Sequence, residues 1–144
     1  MMSMNKNGPI LIIEDDEDDQ LLIQMVYDKL GYPNELIFLQ NGEIAIDYLN
    51  KMTKIPFIII SDVNMPRVNG IELRAMVKAN AAINIKCVPY ILLSTTASKN
   101  FIDDAYLLGV QGYFKKPSNS DDLQAILKHI IDYWKLSYAP GMYL

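Results

Sequence analysis

Short apolar runs alternate with amphipathic stretches along this chain. Five runs of four to six residues are dominated by apolar side chains, and polar residues or a proline follow each of them. Short runs that are rich in β-branched residues and apolar on both faces are typical of buried parallel strands. The predicted strands are Ile10–Ile13, Leu36–Leu39, 57–62, 88–93 and 111–114.

Between these runs, apolar residues recur at three- and four-residue intervals, which predicts helices. The first such stretch ends at Gly31, a typical helix stop, and the fourth ends at Gly109. The last opens at Ser120 and keeps its apolar stripe as far as Trp134. The helices are predicted near residues 21–30, 44–49, 71–81, 101–108 and 120–134.

Strict alternation of strands and helices predicts an α/β fold, a doubly wound five-stranded parallel sheet with five helices on its two faces. The length of 144 residues fits one domain. We expect that domain to cover residues 9–135, between an amino-terminal tail of residues 1–8 and a carboxyl-terminal tail of residues 136–144. In a parallel sheet all strands end at the same edge, so residues distant in sequence can form one site there.

The third strand carries the most informative polar residue. Its apolar run leads into Ser61 and Asp62, and Pro66 follows shortly after. Proline cannot donate to a strand ladder, so the strand is predicted to end near Asp62. Open α/β sheets place their chemistry at such strand ends. Capping of the following turn is the alternative interpretation of Asp62, because aspartate commonly caps turns.

Charge is concentrated in one place. The net charge is −4, and six of the 17 acidic residues form the unbroken run from Glu14 to Asp19. No basic patch is present, which argues against nucleic acid as a partner. Cys87 is the only cysteine, which favours a reducing, cytoplasmic setting. No apolar run approaches the length needed to cross a membrane.

Four of the five predicted strands are followed by side chains that suit phosphoryl chemistry. They are Glu14 with Asp15, then Asp62, then Ser94 with Thr95, and finally Lys116. Three carboxylates at one edge repel one another unless a cation joins them, and oxygen ligands suit Mg²⁺. A carboxylate beside such a cation can attack a phosphoryl group and become an acyl phosphate.

Five motifs in chain order resemble a response-regulator receiver domain of the CheY-like kind, with its flavodoxin-like fold, over roughly residues 9 to 135. They are Glu14-Asp15, Ser61-Asp62-Val63-Asn64-Met65-Pro66, Gly70, Ser94-Thr95 and Tyr113-Phe114-Lys115-Lys116-Pro117. The resemblance implies that Asp62 accepts a phosphoryl group from a sensor histidine kinase or a phosphotransfer protein. It also implies that Glu14, Asp15, Asp62 and the backbone carbonyl of Asn64 hold Mg²⁺.

The same resemblance assigns the remaining roles. Lys116 would contact the phosphate, and the bond between Lys116 and Pro117 would be cis. Ser94 would be the switch hydroxyl that moves toward the phosphate, with Thr95 as the other candidate. Tyr113 would turn inward as Ser94 moves.

The output is predicted to be a protein–protein contact gated by phosphorylation, made by a stand-alone receiver domain with no effector after Trp134. The expected surface is helix four, strand five and helix five, with the downstream target unidentified; it comprises residues 97–106, Tyr113 and residues 122–131. The aromatic carboxyl end is expected either to cover the last helix or to build a homodimer; it contains Tyr133, Tyr138, Met142 and Tyr143. Extra residues near 79–86 are either a plain loop or a partner-specific surface.

Three other functions are open to this sequence. A docking module would keep the fold and never take phosphate. An aspartyl phosphatase commonly carries a second aspartate two residues after its nucleophile, where this chain has Asn64, so we expect no enzymatic turnover. A flavin carrier needs a loop after the first strand that can cradle phosphate, and here that loop is acidic. Within the acidic run, residues 16–19 are expected to be solvated or to cap the first helix.

Overall fold

Five strands and five helices alternate in the computed structural model, which describes residues 4–138 apart from residues 84 and 86. The strands are β1 (Ile10–Ile13), β2 (Leu36–Leu39), β3 (Ile58–Asp62), β4 (Tyr90–Ser94) and β5 (Gly112–Lys115). The helices are α1 (Glu17–Leu30), α2 (Gly42–Lys51), α3 (Gly70–Ala79), α4 (Lys99–Leu107) and α5 (Ser120–Leu136).

All five strands are parallel, in the order β2-β1-β3-β4-β5. This confirms the predicted fold class. The register aligns Ile13 with Ser61 and Ser94 with Lys115, so the ends of the strands form one edge. The polar residues that follow β1, β3, β4 and β5 therefore meet at that edge.

The sheet separates two apolar cores, because successive strand residues point to opposite faces. Leu11, Ile59 and Leu92 face the core that α2, α3 and α4 cover. Ile12 and Ile60 face the core that α1 and α5 cover. Strands buried on both faces explain why their sequences are apolar without alternation.

Three strands have bounds one or two residues away from the prediction: β3 begins at Ile58, β4 is Tyr90–Ser94 and β5 is Gly112–Lys115. β4 begins at Tyr90 rather than at residue 88, because Pro89 offers the ladder only its carbonyl, which accepts from Ile59 N at 2.9 Å. β5 includes Lys115, the residue directly before the predicted phosphate contact Lys116. These shifts leave the site residues where the prediction put them, at the strand ends.

The capping chemistry of α1 is as predicted. Asp16 is the N-cap, and its carboxylate accepts from the backbone N–H groups of Asp18 (2.8 Å) and Asp19 (3.1 Å). Gly31 closes the helix in the left-handed conformation with φ 74°, which glycine adopts without steric cost. Part of the acidic run therefore has a structural role.

The extra residues between α3 and β4 contribute to the core. Ile83 and Ile85 are buried against the α2–α4 side of the sheet, and residues 84 and 86 lie outside the described residues. In the aromatic carboxyl end, Trp134 packs partly buried on the α1–α5 core and meets Tyr133 edge-on at 4.9 Å. Met142 and Tyr143 lie outside the described residues, so the predicted aromatic cluster stays a prediction.

At the edge opposite the strand ends, hydrogen bonds join the amino-terminal segment to two other elements. The side chain of Asn34 donates to the carbonyls of Lys6 (2.9 Å) and Gly8 (2.7 Å). Lys135 Nζ donates to Lys6 O and to Asn34 Oδ1, both at 2.8 Å. We call Lys6, Asn34 and Lys135 the amino-terminal clasp. Met4, just before it, is buried in the α1–α5 core.

Candidate functional site

Three carboxylates converge at the ends of β1 and β3. Glu14, Asp15 and Asp62 each offer one oxygen, and these three atoms all lie within 4.8 Å of one another. Glu14 is 2% exposed and Asp62 is 7% exposed, while Asp15 is half-buried. They meet because β1 and β3 are neighbours in the sheet, and each strand leads directly into its acid.

The loop after β3 passes very close to Asp62, and Gly70 allows this. A Cβ atom at Gly70 would lie 2.3 Å from the carbonyl oxygen of Asp62, which no side chain tolerates. Gly70 N also donates to Val63 O at 3.0 Å. Glycine at this position is therefore part of how the backbone presents Asp62.

The electrostatics of this cluster favour a cation. Burial and the neighbouring charge of Asp62 raise the pKa of Glu14 to about 8, although a hydrogen bond from Lys116 acts in the opposite direction. Buried carboxylates that repel one another are costly to ionise together. A positive ion placed between them would remove that cost.

Lys116 reaches the cluster from the end of β5. Its ammonium group pairs with Glu14, with Asp19 at 2.8 Å and with Asp62 at 3.4 Å, and its side chain is 12% exposed. Lys116 N donates to Ser94 O at 2.7 Å, which fixes the start of the loop. Burial lowers the pKa of Lys116, but hydrogen bonds to Asp19 and Glu14 outweigh burial and raise it.

The contact between Asp19 and Lys116 was not foreseen. From the sequence, Asp19 is expected to be solvated or to cap the first helix, yet its carboxylate is a partner of Lys116. Asp19 lies in the first turn of α1, directly above the sheet edge. The position of Asp19 just after β1 indicates that it lies near the site. Its partner Lys116 is distant in sequence, so no local pattern predicts the pair.

On the other half of the edge, three donors converge on one amide oxygen. Asn64 Oδ1 accepts from Ser94 Oγ at 3.1 Å, from Thr95 Oγ1 at 3.0 Å and from Thr95 N at 3.0 Å. Ser94 is buried and Thr95 is exposed. The family resemblance implies a role only for the backbone carbonyl of Asn64, and no pattern in the sequence predicts this side-chain contact.

Tyr113 lies beside the same loop. It is half-buried, and its hydroxyl donates to the carbonyl of Thr96 at 3.1 Å. Thr96 N in turn donates to Ser94 Oγ at 3.1 Å. A chain of hydrogen bonds thus joins Asn64, Ser94, Thr96 and Tyr113.

One expectation is wrong. The peptide bond between Lys116 and Pro117 is trans, not cis. The trans form of an X–Pro bond is intrinsically favoured by about 0.5–1 kcal/mol. Lys116 already contacts Glu14, Asp19 and Asp62 with the bond in that form, so its position does not require the cis isomer.

The donor set fits a hard divalent cation. Three carboxylate oxygens lie close together, two of them on buried residues, and within the described residues a single lysine pairs with them, which leaves the group negative. Small oxygen-binding cations such as Mg²⁺ are held by one or two carboxylates, waters and phosphate oxygens. The same edge therefore offers a metal site, a buried acceptor carboxylate and a lysine.

Comparison with known proteins gives the family. A family model described as the response regulator receiver domain matches residues 10–128. The chain belongs to this family. Receiver domains act in two-component signalling, where they accept phosphoryl groups from histidine kinases, bind a divalent metal at an acidic pocket and generally are not enzymes.

Individual relatives extend over nearly the whole receiver domain. The response regulator Rcp1 of Synechocystis is 31% identical over 140 residues, which cover 92% of this chain and 94% of Rcp1. The solved structure of the phosphorylated cyanobacterial phytochrome response regulator RcpA has a TM-score of 0.81 and 28% identity. The Mn²⁺-bound form of Rcp1 has a TM-score of 0.79 and 28% identity. Both alignments cover 94% of this chain and 99% of the other.

This similarity agrees with the geometry of the edge. The fold matches that of the phosphorylated and metal-bound relatives, and the acidic group of this receiver domain lies at the ends of β1 and β3. No helix in the described part of the chain is both long enough and apolar enough to cross a bilayer.

Proposed function

We propose that Asp62 is the phosphoacceptor of this receiver domain. One of its carboxylate oxygens attacks the phosphorus of a phosphorylated histidine, the bond from phosphorus to the imidazole nitrogen breaks, and the imidazole leaves with the electron pair. The product is an acyl phosphate on Asp62. The observation that carries this proposal is the position of Asp62, buried at the end of β3 beside Glu14 and 3.4 Å from Lys116 Nζ.

Glu14, Asp15 and Asp62, with the backbone carbonyl of Asn64, would hold Mg²⁺. The ion supplies positive charge to the phosphoryl oxygens, which would otherwise be repelled by the carboxylates. Asp62 Oδ1 accepts from Asn64 N at 3.1 Å, and this bond orients the carboxylate. Lys116 donates to Asp62 and would contact a phosphoryl oxygen.

Ser94 is the proposed switch hydroxyl, since it is buried at the end of β4, and exposed Thr95 is the second candidate. Phosphorylation would favour one of two arrangements of the Ser94 loop and Tyr113, as a population shift. That shift would change the surface formed by α4, β5 and α5, where a partner protein binds. The donor is a cytoplasmic histidine kinase or phosphotransfer protein, and the phytochrome partnership named for RcpA makes a phytochrome-type kinase the first donor to try.

The experiment is incubation of the chain with acetyl phosphate and Mg²⁺, read by intact mass. Wild type should gain one phosphoryl group, Asp62→Asn should gain none, and EDTA should prevent the gain. Asp47→Asn is the matched control, because Asp47 is an exposed acid on α2 that pairs only with Lys51 among the described salt bridges; it should be labelled like wild type.

Two results would contradict the proposal. Wild type that binds Mg²⁺ yet gains no mass would instead favour a docking module that never takes phosphate. Continuous hydrolysis of a small phosphate ester by wild type, lost in Asp62→Asn, would instead indicate a phosphatase.

A further inference from the structure

We propose that the side-chain amide of Asn64 is a latch that holds the Ser94 loop away from Asp62 until phosphorylation. This inference rests on the proposed function, because it concerns how phosphorylation of Asp62 is resisted and reported. Asn64 acts through Ser94 and Thr95, and so it is a positioning residue rather than a catalytic one.

The first observation is the number of donors on one atom. Asn64 Oδ1 accepts from the hydroxyls of Ser94 and Thr95 and from the Thr95 backbone N–H, all between 3.0 and 3.1 Å. A carbonyl oxygen has two lone pairs, so three donors saturate it. Both candidate switch hydroxyls are therefore committed to the same neutral acceptor.

The second observation concerns the partners of Asp62. In the described part of the chain, its carboxylate accepts from Asn64 N, at Oδ1, and from Lys116 Nζ, at Oδ2, while its backbone carbonyl accepts from Ser61 Oγ. Neither Ser94 Oγ nor Thr95 Oγ1 is among those donors. Asn64 thus contacts both sides, with its backbone N–H on the acceptor carboxylate and its side chain on the switch hydroxyls.

Asn64 Oδ1 and a phosphoryl oxygen on Asp62 would compete for the single hydroxyl proton of Ser94. Ser94 Oγ has a single proton, and it cannot donate to Asn64 Oδ1 and to a phosphoryl oxygen at once. A charged phosphoryl oxygen is a stronger acceptor than a neutral amide, by roughly a factor of two in hydrogen-bond strength. Phosphorylation of Asp62 can therefore draw Ser94 from Asn64, at the cost of the latch contacts.

The latch also links the site to the output surface. Ser94 Oγ accepts from Thr96 N, and Thr96 O accepts from the Tyr113 hydroxyl. Movement of Ser94 toward Asp62 would break or lengthen the contact with Thr96 and disturb the bond to Tyr113. Release of Asn64 is then the first event in the proposed switch.

The test is a double-mutant cycle at Asn64 and Ser94. The measured quantity is the rate at which acetyl phosphate labels each protein, at Mg²⁺ concentrations that saturate each variant. The four proteins are wild type, Asn64→Ala, Ser94→Ala and the double variant; Asn64→Ala keeps the backbone carbonyl that is proposed as a metal ligand. Asn50→Ala is the control, since Asn50 is an exposed asparagine near the end of α2 whose described partner is Asn80. Thermal melting checks that every variant is folded.

With Ser94 present, loss of the latch should raise the labelling rate by about fivefold, which corresponds to roughly one hydrogen bond. In the Ser94→Ala background, Asn64→Ala should raise the labelling rate by about twofold or less, because the hydroxyl that the latch restrains is absent. A gain of equal size in both backgrounds, or no gain at all, would overturn the latch. Wild type that takes no label would instead refute the proposed function, and the latch proposal, which rests on that function, would be refuted as well.

Hydrogen exchange of the Thr95 amide is a second readout that needs no phosphodonor. Thr95 N donates to Asn64 Oδ1, so Asn64→Ala should accelerate exchange at Thr95 by about tenfold while amides within β4 stay unchanged. Equal exchange at Thr95 in wild type and Asn64→Ala would mean that the latch is open in solution. That result would refute the proposal even if labelling were normal.

Discussion

The two halves of the sheet edge are held by different forces. At the ends of β1 and β3, buried carboxylates gather around the ammonium group of Lys116. At the end of β4 and beside β5, neutral hydrogen bonds join Asn64, Ser94 and Tyr113 through the loop between them. A buried charge cluster has few low-energy arrangements, whereas neutral hydrogen bonds of about 1 kcal/mol each exchange partners readily. The acidic half is therefore suited to chemistry and the hydroxyl half to reporting it.

The largest effect is expected from neutralising the acidic half. Replacing Glu14 with Gln and Asp15 with Asn together should lower Mg²⁺ affinity by roughly 100-fold or more, since even outer-shell changes at metal sites cost 10- to 100-fold. Labelling of Asp62 should fall with it. Calorimetric titration with Mg²⁺ measures the first effect and intact mass the second. Undiminished Mg²⁺ affinity in the double variant would place the metal elsewhere.

Metal removal gives the same comparison without a substitution. A ligand present at 100 times its dissociation constant stabilises the folded state by about 2.7 kcal/mol. Mg²⁺ should therefore raise the melting temperature of wild type, and EDTA should reverse the rise. The Glu14/Asp15 double variant should show no such shift, and a shift of equal size there would contradict the assignment.

Lys116 joins the two halves of the edge, so its replacement should affect both the stability of the acidic half and the switch in the hydroxyl half. Lys116→Ala leaves Glu14 and Asp62 without their buried cation, which costs on the order of 3 kcal/mol of unfolding free energy without metal. At matched phosphorylation it should also reduce the change at the α4–β5–α5 surface more than it reduces labelling. Denaturant unfolding and amide chemical shifts measure the two effects. A normal surface change in phosphorylated Lys116→Ala would refute the role of Lys116 in the switch.

Asp19→Asn is the matched variant for Lys116. It removes one partner of Lys116, but Asp19 is 40% exposed, so solvent screens the pair. Its cost to stability should stay below that of Lys116→Ala.

The smallest effect is expected in the hydroxyl half. Tyr113→Phe removes only the bond from the hydroxyl to Thr96 O and keeps the ring in place. One neutral hydrogen bond is worth about 1 kcal/mol, so the equilibrium between the two loop arrangements should change by about fivefold, with the Mg²⁺ affinity of the acidic half unaffected. Chemical shifts of the Thr96 and Tyr113 amides report that equilibrium. Weaker Mg²⁺ binding in Tyr113→Phe would show that the two halves are not separable.

The fold was predictable because burial dictates composition in a parallel sheet. Strands covered on both faces must be apolar throughout. The apolar run Ile10–Ile13 and the similar runs later in the chain could therefore be recognised as strands. The end of α1 at Gly31 followed from local backbone chemistry, whereas its start at Glu17 lies four residues before the predicted one, because the first turn is acidic and carries no apolar stripe. Since all strands end at one edge, the meeting of Glu14, Asp15 and Asp62 also followed from the chain order alone. The bounds of the domain, residues 9–135, stay a prediction.

What could not be predicted depends on side-chain geometry between distant elements. The pairing of Asp19 with Lys116 needs the relative height of α1 above β5, which no local pattern encodes. The same holds for the rotation of the Asn64 side chain toward Ser94. The Lys116–Pro117 bond was assigned by resemblance, and the small energy gap between its isomers leaves the sequence unable to decide.

The amino-terminal clasp has a practical consequence for handling the protein. Lys6 is joined through Asn34 and Lys135 to the carboxyl-terminal end of α5, and the preceding Met4 is buried. An affinity tag or fluorescent protein fused at the amino terminus would therefore be attached a few residues before buried Met4, in a segment that is hydrogen-bonded to a helix of the proposed output surface. Partner binding measured with such a fusion would reflect the effect of the fusion as well as that of phosphorylation. A tag-free sample is therefore the proper reference.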